Sequence, residues 1–541
     1  MKIYLTKKKS DVNDIKVDNF QTIYLEDYTT ISNISKARLM TDEIFENNQE
    51  FIDFFTFKGY KISWSWYSDI FQICLVILEI EDLYRNFPSN QVTDILIGDI
   101  ENKYINAIKY IYYDSNITFK KKRVEVKPKI KYFIINFFGL FLSIVSIFLH
   151  KFKSKEITGS FTGDYIYKNS GSDFRLNKLY EKYIYHGIRY IEFIRFSDAR
   201  NFFLNIFKRK KLGIYFQSFA YFPALFVGEK QYFKNPHNLH QSILYAFSRQ
   251  NIILEKQILI LEKIFSFLKI KNNVLISFSS RSAPLMFASK SLNIKTIGIM
   301  HGLQQKDYAV YEFIESYRED NKIGFDSYGV WSMEYLKYFR KYSKITNREN
   351  FFYSGLLRQH NYQACDKSFQ RLNKKKIKVL LISEPLISVD EIIPFLKEII
   401  SKPNIEVGIK LRPMIKDKFY EALIKKIPEI KYLKVFDGKL EEVSNNYDIF
   451  LGSNSTAVIE AAVFGKLSLL VRTKKFGDYF DFANILKNRS LIVDTPNDLY
   501  NEIIFRVSNE ENLNTIQKIH AKFFGENKDG TEWIIRQIKN Q

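Results

Sequence analysis

Cysteine is nearly absent from this sequence of 541 residues, which contains only Cys74 and Cys365. Two distant cysteines provide neither a disulfide framework nor a metal cluster, and they are typical of a protein in a reducing cytoplasm. The first residues, MKIYLTKKKSDVND, lack the apolar core of a signal peptide. No repeat of short period occurs, which excludes a solenoid. We therefore expect a cytoplasmic protein.

Basic residues outnumber acidic residues, 81 to 60, and the formal net charge is +21. Such a charge attracts nucleic acid, anionic lipid or phosphorylated small molecules. Zinc-finger spacing, an RNP-like aromatic motif and a helix-turn-helix signature are missing, so nucleic acid ranks last among these partners. Apolar residues make up 46% of the chain, enough for well-buried cores, and its length is too great for a single core.

One long apolar run, YFIINFFGLFLSIVSIFLH at 132–150, stands out against this soluble background. It is about long enough to span a bilayer. Basic residues flank this run on both sides, so the positive-inside rule predicts no orientation for it in a membrane. A single crossing would also place the chain before it and the chain after it on opposite sides of the membrane, although both look cytoplasmic. We predict a helix or hairpin in the membrane interface, held by anionic lipid and apolar insertion. A buried core helix and a true span are the alternatives.

Strand-like runs alternate with helix-length amphipathic runs, which is the pattern of an α/β protein. We predict two tandem Rossmann-like domains with a cleft between the carboxyl ends of their sheets. The N-terminal domain covers 1–360 and includes a basic, apolar insertion at about 120–234. A polar linker leads to a second domain at 376–500, and a helical tail occupies 501–541.

In YDIFLGSNSTAVIEAAVFG, a predicted strand leads through a polar turn into a short helix that Gly465 ends. Free backbone N–H groups and the helix dipole make such a turn an anion site, which small hydroxyl side chains let a phosphate approach. An ordinary helix cap needs one such residue. Four are present, and we predict that they bind phosphate: Ser453, Asn454, Ser455 and Thr456.

Three charged residues are predicted near the same rim. Glu460 lies one helical turn after Thr456, where its carboxylate could accept hydrogen bonds from ribose hydroxyls. Lys410 and Arg412 end the predicted strand in GIKLRP and suit a diphosphate, or a phosphate with a carboxylate. The alternatives are a favourable position in the helix dipole for Glu460 and solvated surface charge for the two cations.

His301 follows the predicted strand KTIGIM, and Gly302 beside it lets backbone or ligand come close. At the carboxyl end of a strand facing the cleft, its imidazole would serve as a general base on an acceptor hydroxyl or donate to a leaving phosphate. Arg281, after the preceding strand, reaches the same rim and could bind an anionic ligand. A structural role is the alternative for His301. No histidine and carboxylate cluster indicates a metal, so the helix dipole and cations are expected to replace a divalent ion.

Taken together, LGSNSTAVIEAAVFGK, IMHG, FFYSG and IKLRP resemble bacterial GT-B glycosyltransferases of capsule and lipopolysaccharide synthesis. The resemblance covers about 272–493 and extends to Kdo transferases, sialyltransferase-like proteins and CDP-glycerol glycerophosphotransferases. It implies that Ser453, Ser455 and Thr456 bind phosphate. It also implies that Glu460 binds ribose and that His301 faces the reaction centre. Many members have a His-Pro pair where this chain has KLRP, which leaves the donor type open.

The resemblance implies metal-independent transfer of a sugar from a nucleotide-sugar donor, CMP- or UDP-linked, with no bound cofactor. The acceptor would be a surface polysaccharide or a lipid-linked glycan. The protein would lie on the inner face of the cell membrane, beside other polysaccharide-assembly proteins. Three alternatives stay open: a UDP-sugar 2-epimerase of GT-B-like fold, a CDP-glycerol-type phosphotransferase and a non-catalytic assembly protein.

Overall fold

A computed structural model of the protein describes residues 2–6, 19–46, 49–87, 92–97, 118–121, 129–152, 157–162, 173, 175–195, 202–203, 206–207, 212–225, 239–276, 281–300, 302, 311–315, 323–357, 376–384, 387–412, 418–486, 491–508, 511–526 and 528–540. Over these residues the chain forms three parallel β-sheets with their helices, and one short antiparallel hairpin. The prediction of an α/β protein is confirmed, and two of the parallel sheets have six strands each.

The first sheet belongs to the N-terminal part of the chain. The strands here are β1 (Lys2–Thr6), β2 (Gln21–Tyr24), β3 (Thr56–Phe57), β4 (Tyr60–Lys61), β5 (Asp94–Ile97) and β6 (Thr118–Lys121). The parallel order is β2-β1-β5-β6, and β3 pairs with β4 as the hairpin. The helices are α1 (Ile31–Glu46), α2 (Gln49–Phe54) and α3 (Tyr67–Asn86). The predicted N-terminal domain, 1–360, therefore contains more than one sheet.

The second sheet has six parallel strands from the middle of the chain. They are β7 (Ile157–Thr162), β8 (Tyr190–Ile194), β9 (Ile270–Leu275), β10 (Lys295–Ile299), β11 (Ser327–Val330) and β12 (Phe351–Tyr353). Their order in the sheet is β12-β11-β10-β9-β7-β8. The helices of this part are α4 (Lys129–Lys151), α5 (Asn177–Tyr185), α6 (Phe216–Leu225), α7 (Leu239–Leu268), α8 (Ala283–Ser291) and α9 (Met333–Tyr342).

Strands β7 and β8 fall inside the segment 120–234, which the sequence indicated to be an insertion. Because β7 pairs with both β8 and β9, this segment supplies two of the six strands of the sheet. The interpretation as an insertion is wrong for these strands. The physical reason lies in the composition of β7, ITGSFT, which lacks the run of Val, Ile and Leu that is typical of a buried parallel strand.

The third sheet has six parallel strands from the C-terminal part. They are β13 (Ile377–Ile382), β14 (Ile405–Lys410), β15 (Lys434–Phe436), β16 (Ile449–Gly452), β17 (Leu467–Val471) and β18 (Ile492–Val493). Their order is β15-β14-β13-β16-β17-β18. Counted from its first strand, this is 3-2-1-4-5-6, the order of a doubly wound Rossmann sheet. Its helices are α10 (Val389–Ile400), α11 (Lys418–Lys426), α12 (Glu441–Ser444), α13 (Thr456–Ile459), α14 (Phe482–Ile485) and α15 (Pro496–Ser508).

The last two helices, α16 (Asn512–Phe523) and α17 (Gly530–Lys539), return to the second sheet. Trp533 and Ile534 of α17 share a buried cluster with Ile297 and Ile299 of β10. The chain therefore leaves the second sheet to build the third and comes back to cover the second.

Candidate functional site

The third sheet changes direction between β13 and β16. From β13 the chain proceeds to its neighbour β14 on one side, whereas β16 lies on the other side and leads to β17. The chain therefore leaves β13 and β16 towards opposite sides of the sheet, and the carboxyl ends of these two strands are its topological switch point. Open α/β sheets bind their ligands at such a switch point.

Glu384 follows β13 and bridges this switch point. Its Oε2 accepts a hydrogen bond from the backbone N–H of Ser453 at 2.8 Å. Its Oε1 accepts from the N–H groups of Asn454 at 2.9 Å and Ser455 at 2.8 Å. The side chain of Glu384 is only 1% exposed. Because the three donors follow β16, one buried carboxylate joins the ends of both strands.

Gly452, the last residue of β16, leaves space for this carboxylate. A Cβ atom at Gly452 would lie 2.8 Å from Oε1 of Glu384 and 2.6 Å from Cγ2 of Val458. Both distances are shorter than a carbon atom tolerates from a non-bonded neighbour. A glycine is therefore required here for close approach, although its backbone needs no unusual conformation.

Burial raises the pKa of Glu384 from 4.5 to about 7. The hydrogen bonds from the three backbone N–H groups and the positive charge of Arg412 act in the opposite direction. The removal of the carboxylate from water is the larger effect, as expected for a fully buried acid. Glu384 is therefore a group that changes its charge near neutral pH.

The sequence analysis expected the backbone N–H groups of the polar turn to be free for a phosphate. For Ser453, Asn454 and Ser455 this expectation is wrong, because Glu384 already accepts their hydrogen bonds. Ser453 is also fully buried, and its Oγ lies 3.2 Å from Oγ1 of Thr473. Ser453 therefore supports the turn from inside.

The accessible side of the turn belongs to Asn454, Ser455 and Thr456, which are all half-buried. Oδ1 of Asn454 is buried and has no hydrogen-bond partner among the described residues. Ser455 occupies the N-cap position of α13, but its side chain makes no capping hydrogen bond. The unpartnered Oδ1 of Asn454 therefore lies at the switch point, but below the surface of the turn.

Helix α13 is only four residues long and continues as the 3-10 helix Glu460–Phe464. Gly465 ends it in the left-handed conformation with φ 66°, as its position in the sequence predicts. Glu460 itself is buried, with 6% of its surface exposed. The predicted ribose ligand thus lies on the short helix as expected, but largely inside the domain.

The two predicted cations differ in accessibility. Lys410, the last residue of β14, is 6% exposed, and its Nζ donates to the carbonyl oxygen of Leu411 at 2.5 Å. Arg412 is half-buried, and its charge acts on Glu384 across the rim. Of these two cations, Arg412 is the one that an incoming anion reaches more easily.

The predicted catalytic residue, His301, lies outside the described residues. The residue before it is held from two sides: the carbonyl of Met300 accepts from Nε1 of Trp331 at 2.7 Å, and its N–H donates to Gly329 at 2.9 Å. A Cβ atom at Gly302 would meet nothing within 4 Å. The backbone at the end of β10 is therefore fixed, and the space beside Gly302 is open among the described residues.

Arg281 is exposed and precedes α8. The segment 277–280, between β9 and Arg281, lies outside the described residues, so the predicted rim of the second sheet stays a prediction for Arg281 and His301. Within the described ranges, no three His, Cys, Asp or Glu side chains gather as metal ligands would.

Glu384 is the residue that sequence reasoning missed. It follows the apolar strand IKVLLIS directly, and the same rule that selected His301, a polar residue where a core strand ends, would have found it. Its hydrogen-bond partners lie 69 to 71 positions further along the chain. No local spacing could reveal that contact.

The fold and the site define a parallel α/β protein with a cluster of polar residues at the switch point of its C-terminal sheet. No known family profile and no curated protein matches this chain. Among solved structures it is similar to S. aureus MnaA with UDP, at 12% identity and a TM-score of 0.43, over 71% of this chain and 96% of that one.

Two further similar structures are the UDP-GlcNAc 2-epimerase of Neisseria meningitidis bound to UDP-GlcNAc and MurG of Acinetobacter baumannii. Their identities are 11% and 10%, and both have a TM-score of 0.43 over 72% of this chain and 100% of theirs. All three TM-scores are below 0.5, so the similarity says nothing about the activity of this chain.

Proposed function

We propose that this protein is a glycosyltransferase that moves a sugar from a nucleotide-sugar donor to an acceptor hydroxyl. The observation that carries the proposal is the cluster of polar residues at the switch point between β13 and β16. Doubly wound sheets with the strand order 3-2-1-4-5-6 bind nucleotides at this point. The acceptor would lie at the carboxyl ends of the second sheet, as the sequence resemblance implies.

The donor phosphate would contact the accessible side of the turn, at Asn454, Ser455 and Thr456, with Arg412 as the counter-charge. The hydrogen bonds of Glu384 hold the turn in place behind these residues. A turn that is ordered before binding loses little entropy when the ligand arrives, which favours affinity. Preorganisation is therefore the role we assign to Glu384.

The pKa of Glu384 gives this arrangement a pH dependence. A phosphate near a carboxylate raises the pKa of that carboxyl further, because the two negative charges repel each other. Since burial already holds the pKa at about 7, donor binding would favour the protonated form and take up a proton. We expect donor affinity to fall as the pH rises through about 7.

The remaining site residues keep the roles that the sequence suggested. Glu460 would bind the ribose through its carboxylate. Lys410 would contribute its charge from a buried position. His301 would act as a general base on the acceptor hydroxyl or stabilise the leaving phosphate. Arg281 would bind an anionic group of the acceptor.

The acceptor is proposed to be a surface polysaccharide or a lipid-linked glycan of capsule or lipopolysaccharide synthesis. The reaction is proposed to use no metal ion and no bound cofactor, and other polysaccharide-assembly proteins are proposed as neighbours. A UDP-sugar 2-epimerase would need no acceptor. Product analysis with the donor alone therefore separates the two activities, because only an epimerase returns an altered nucleotide sugar.

A thermal-shift screen with CMP-, CDP-, UDP- and GDP-sugars tests the donor site. A ligand that binds the native state stabilises it by mass action, so one nucleotide class should raise the melting temperature. In calorimetric titration, Arg412→Ala should weaken binding of that donor about 10- to 100-fold, the value of one charge-assisted contact. Lys425→Ala, which removes an exposed cation of α11, is the matched control. A screen with no stabilising nucleotide would refute the proposal.

His301→Ala tests the catalytic assignment. Turnover should fall about 10²- to 10⁴-fold, the usual contribution of a positioned acid or base. Donor affinity should stay unchanged, because the proposed donor contacts come from the third sheet. A folded variant with normal turnover would remove His301 from the mechanism.

A further inference from the structure

Helix α4 packs against α6 and α7 with a face of small residues. A Cβ atom at Gly139 would lie 2.5 Å from Oγ of Ser218 on α6, so the two helices approach closely. Ser143 is fully buried, and its Oγ accepts a hydrogen bond from the N–H of Tyr215 at 2.8 Å. This face of α4 is therefore firmly attached to the rest of the protein.

The opposite face of α4 carries a line of large apolar side chains. They are Phe133, Phe137, Phe141, Ile144, Phe148 and Phe152, with exposed fractions from 41% to 83%. Their spacing of four or three residues keeps them on one side of the helix. Only 28% of the apolar window Tyr132–Lys151 is buried. The line is about 28 Å long, and a contiguous exposed apolar surface of this kind marks an interaction site.

The aromatic surface continues after β8. Phe207 is 79% exposed, and its ring stacks at 6.2 Å on the ring of Phe203, which is 41% exposed. Their neighbour Phe202 belongs to the same buried cluster as Ile135 of α4. Exposed rings from two separate segments are therefore found in one region of the surface.

Basic runs border both aromatic segments in the sequence. KKKR at 120–123 and KIK at 129–131 lie before and at the start of α4, KFKSK at 151–155 lies at its end, and KRKK at 208–211 directly follows Phe207. Aromatic rings flanked by Lys and Arg suit the interface of an anionic membrane, where rings enter the acyl boundary and cations meet phosphates. This charge pattern favours anionic lipid over an apolar protein partner.

Contacts between the parts before and after α4 argue against a transmembrane span. Nζ of Lys58 lies 2.6 Å from Oε2 of Glu262 on α7. The ring of Trp66 lies 5.4 Å from that of Phe247 on the same helix. If α4 crossed a bilayer once, these partners would be on opposite sides of the membrane. The helix therefore runs along the surface of the protein.

We propose that α4 lies flat in one leaflet of an anionic membrane with its line of aromatic residues inserted, and that the basic composition of the flanking sequence attracts the protein to anionic lipid. This surface would hold the protein on the cytoplasmic side, where lipid-linked substrates are within reach. The inference is independent of the proposed sugar transfer, because it uses no residue of the switch-point site.

Vesicle co-sedimentation tests the inference. The full chain should sediment with vesicles of phosphatidylcholine and phosphatidylglycerol. It should stay in solution with phosphatidylcholine alone, and high salt should release it because salt screens the basic runs. The double variant Phe137→Ser and Phe141→Ser should bind these vesicles at least about 10-fold more weakly than the wild type, since two inserted rings are lost.

The matched control is Leu39→Ser with Tyr432→Ser. These residues are 69% and 79% exposed elsewhere on the protein, so this variant should bind vesicles as the wild type does. Equal melting temperatures of all proteins would exclude unfolding as the cause of a loss. The inference is overturned if the wild type ignores anionic vesicles, or if Phe137→Ser with Phe141→Ser binds normally. It is also overturned if the wild type is a dimer that this variant converts to a monomer.

Phe141→Trp separates insertion from crossing. Phe141 lies near the middle of α4, so a spanning helix would place the new indole at the centre of the bilayer. A flat helix places it at the level of the first acyl carbons. Lipids brominated near the headgroup should therefore quench the added fluorescence more strongly than lipids brominated near the chain end. The reverse order would overturn the flat arrangement.

Discussion

Glu384 is expected to couple the stability of the third sheet to pH. Between pH 4.5 and about 7, the folded protein retains a proton on this buried carboxyl that the unfolded chain has already lost. The stability that Glu384 contributes is therefore fully present below pH 4.5 and is lost as the pH rises through about 7. Glu384→Gln keeps the size of the side chain and one oxygen that accepts hydrogen bonds, but the amide cannot titrate. This pH dependence should therefore disappear.

The shift of the pKa from 4.5 to about 7 corresponds to about 3 kcal/mol of stability. For a domain of roughly 150–250 residues, each kcal/mol moves the melting temperature by about 2–4 °C. The melting temperature of the wild type should consequently fall by about 6–12 °C relative to Glu384→Gln between about pH 5 and pH 8. The amide NH₂ will face the N–H of Ser453, so the variant starts from a lower stability at acidic pH.

Thermal melting of both proteins across this pH range is the assay. Glu421→Gln removes an exposed carboxylate from α11, and its melting temperature should follow that of the wild type at every pH. If Glu384→Gln shows the same pH profile as the wild type, then Glu384 does not change its charge in the folded protein, and the reasoning from burial is refuted.

Four further substitutions, one of them a control, test other parts of the structure by thermal melting. Gly452→Ala should lower the free energy of unfolding by about 1–3 kcal/mol through steric overlap. Gly302→Ala meets none of the described residues within 4 Å and should not lower it, so equal effects would contradict this. Trp331→Phe removes the indole donor from the carbonyl of Met300 and should cost about 1–3 kcal/mol; an unchanged melting temperature would show that the bond adds nothing. Burial lowers the pKa of His520 to about 4, so the wild type should lose stability as the pH falls from 6.5 towards 4. His520→Gln should lose less over that range, and a parallel loss would exclude His520.

The strands of the C-terminal half could be predicted because their local chemistry is unambiguous. IKVLLI at β13 and LSLLV at β17 are short apolar runs, and all five residues of β17 are buried. Helix-length amphipathic runs separate such strands, which favours parallel pairing with both faces covered. Alternation and length were sufficient here, since a buried parallel strand needs little else from its sequence.

The N-terminal half was harder because its local patterns conflict with its contacts. The alternating stretch YKISWSW is typical of a strand, but only Tyr60–Lys61 is extended, and Ile62–Trp66 form a 3-10 helix. Which strands share a sheet is decided by contacts between distant residues, and the same holds for Glu384. Its carboxylate meets Ser453 only because β13 and β16 are neighbours, a fact about strand order that no single segment contains.

The return of α17 to the second sheet bears on how the protein is made. Trp533 and Ile534 complete a core with Ile297 and Ile299, so this core stays open until α17 has left the ribosome. The nascent chain must expose that apolar surface while the whole third sheet is synthesised, which is when chaperones are needed. Two halves produced separately, divided between 357 and 376, would leave the first half without its final helix. They should become active only when they are made or refolded together.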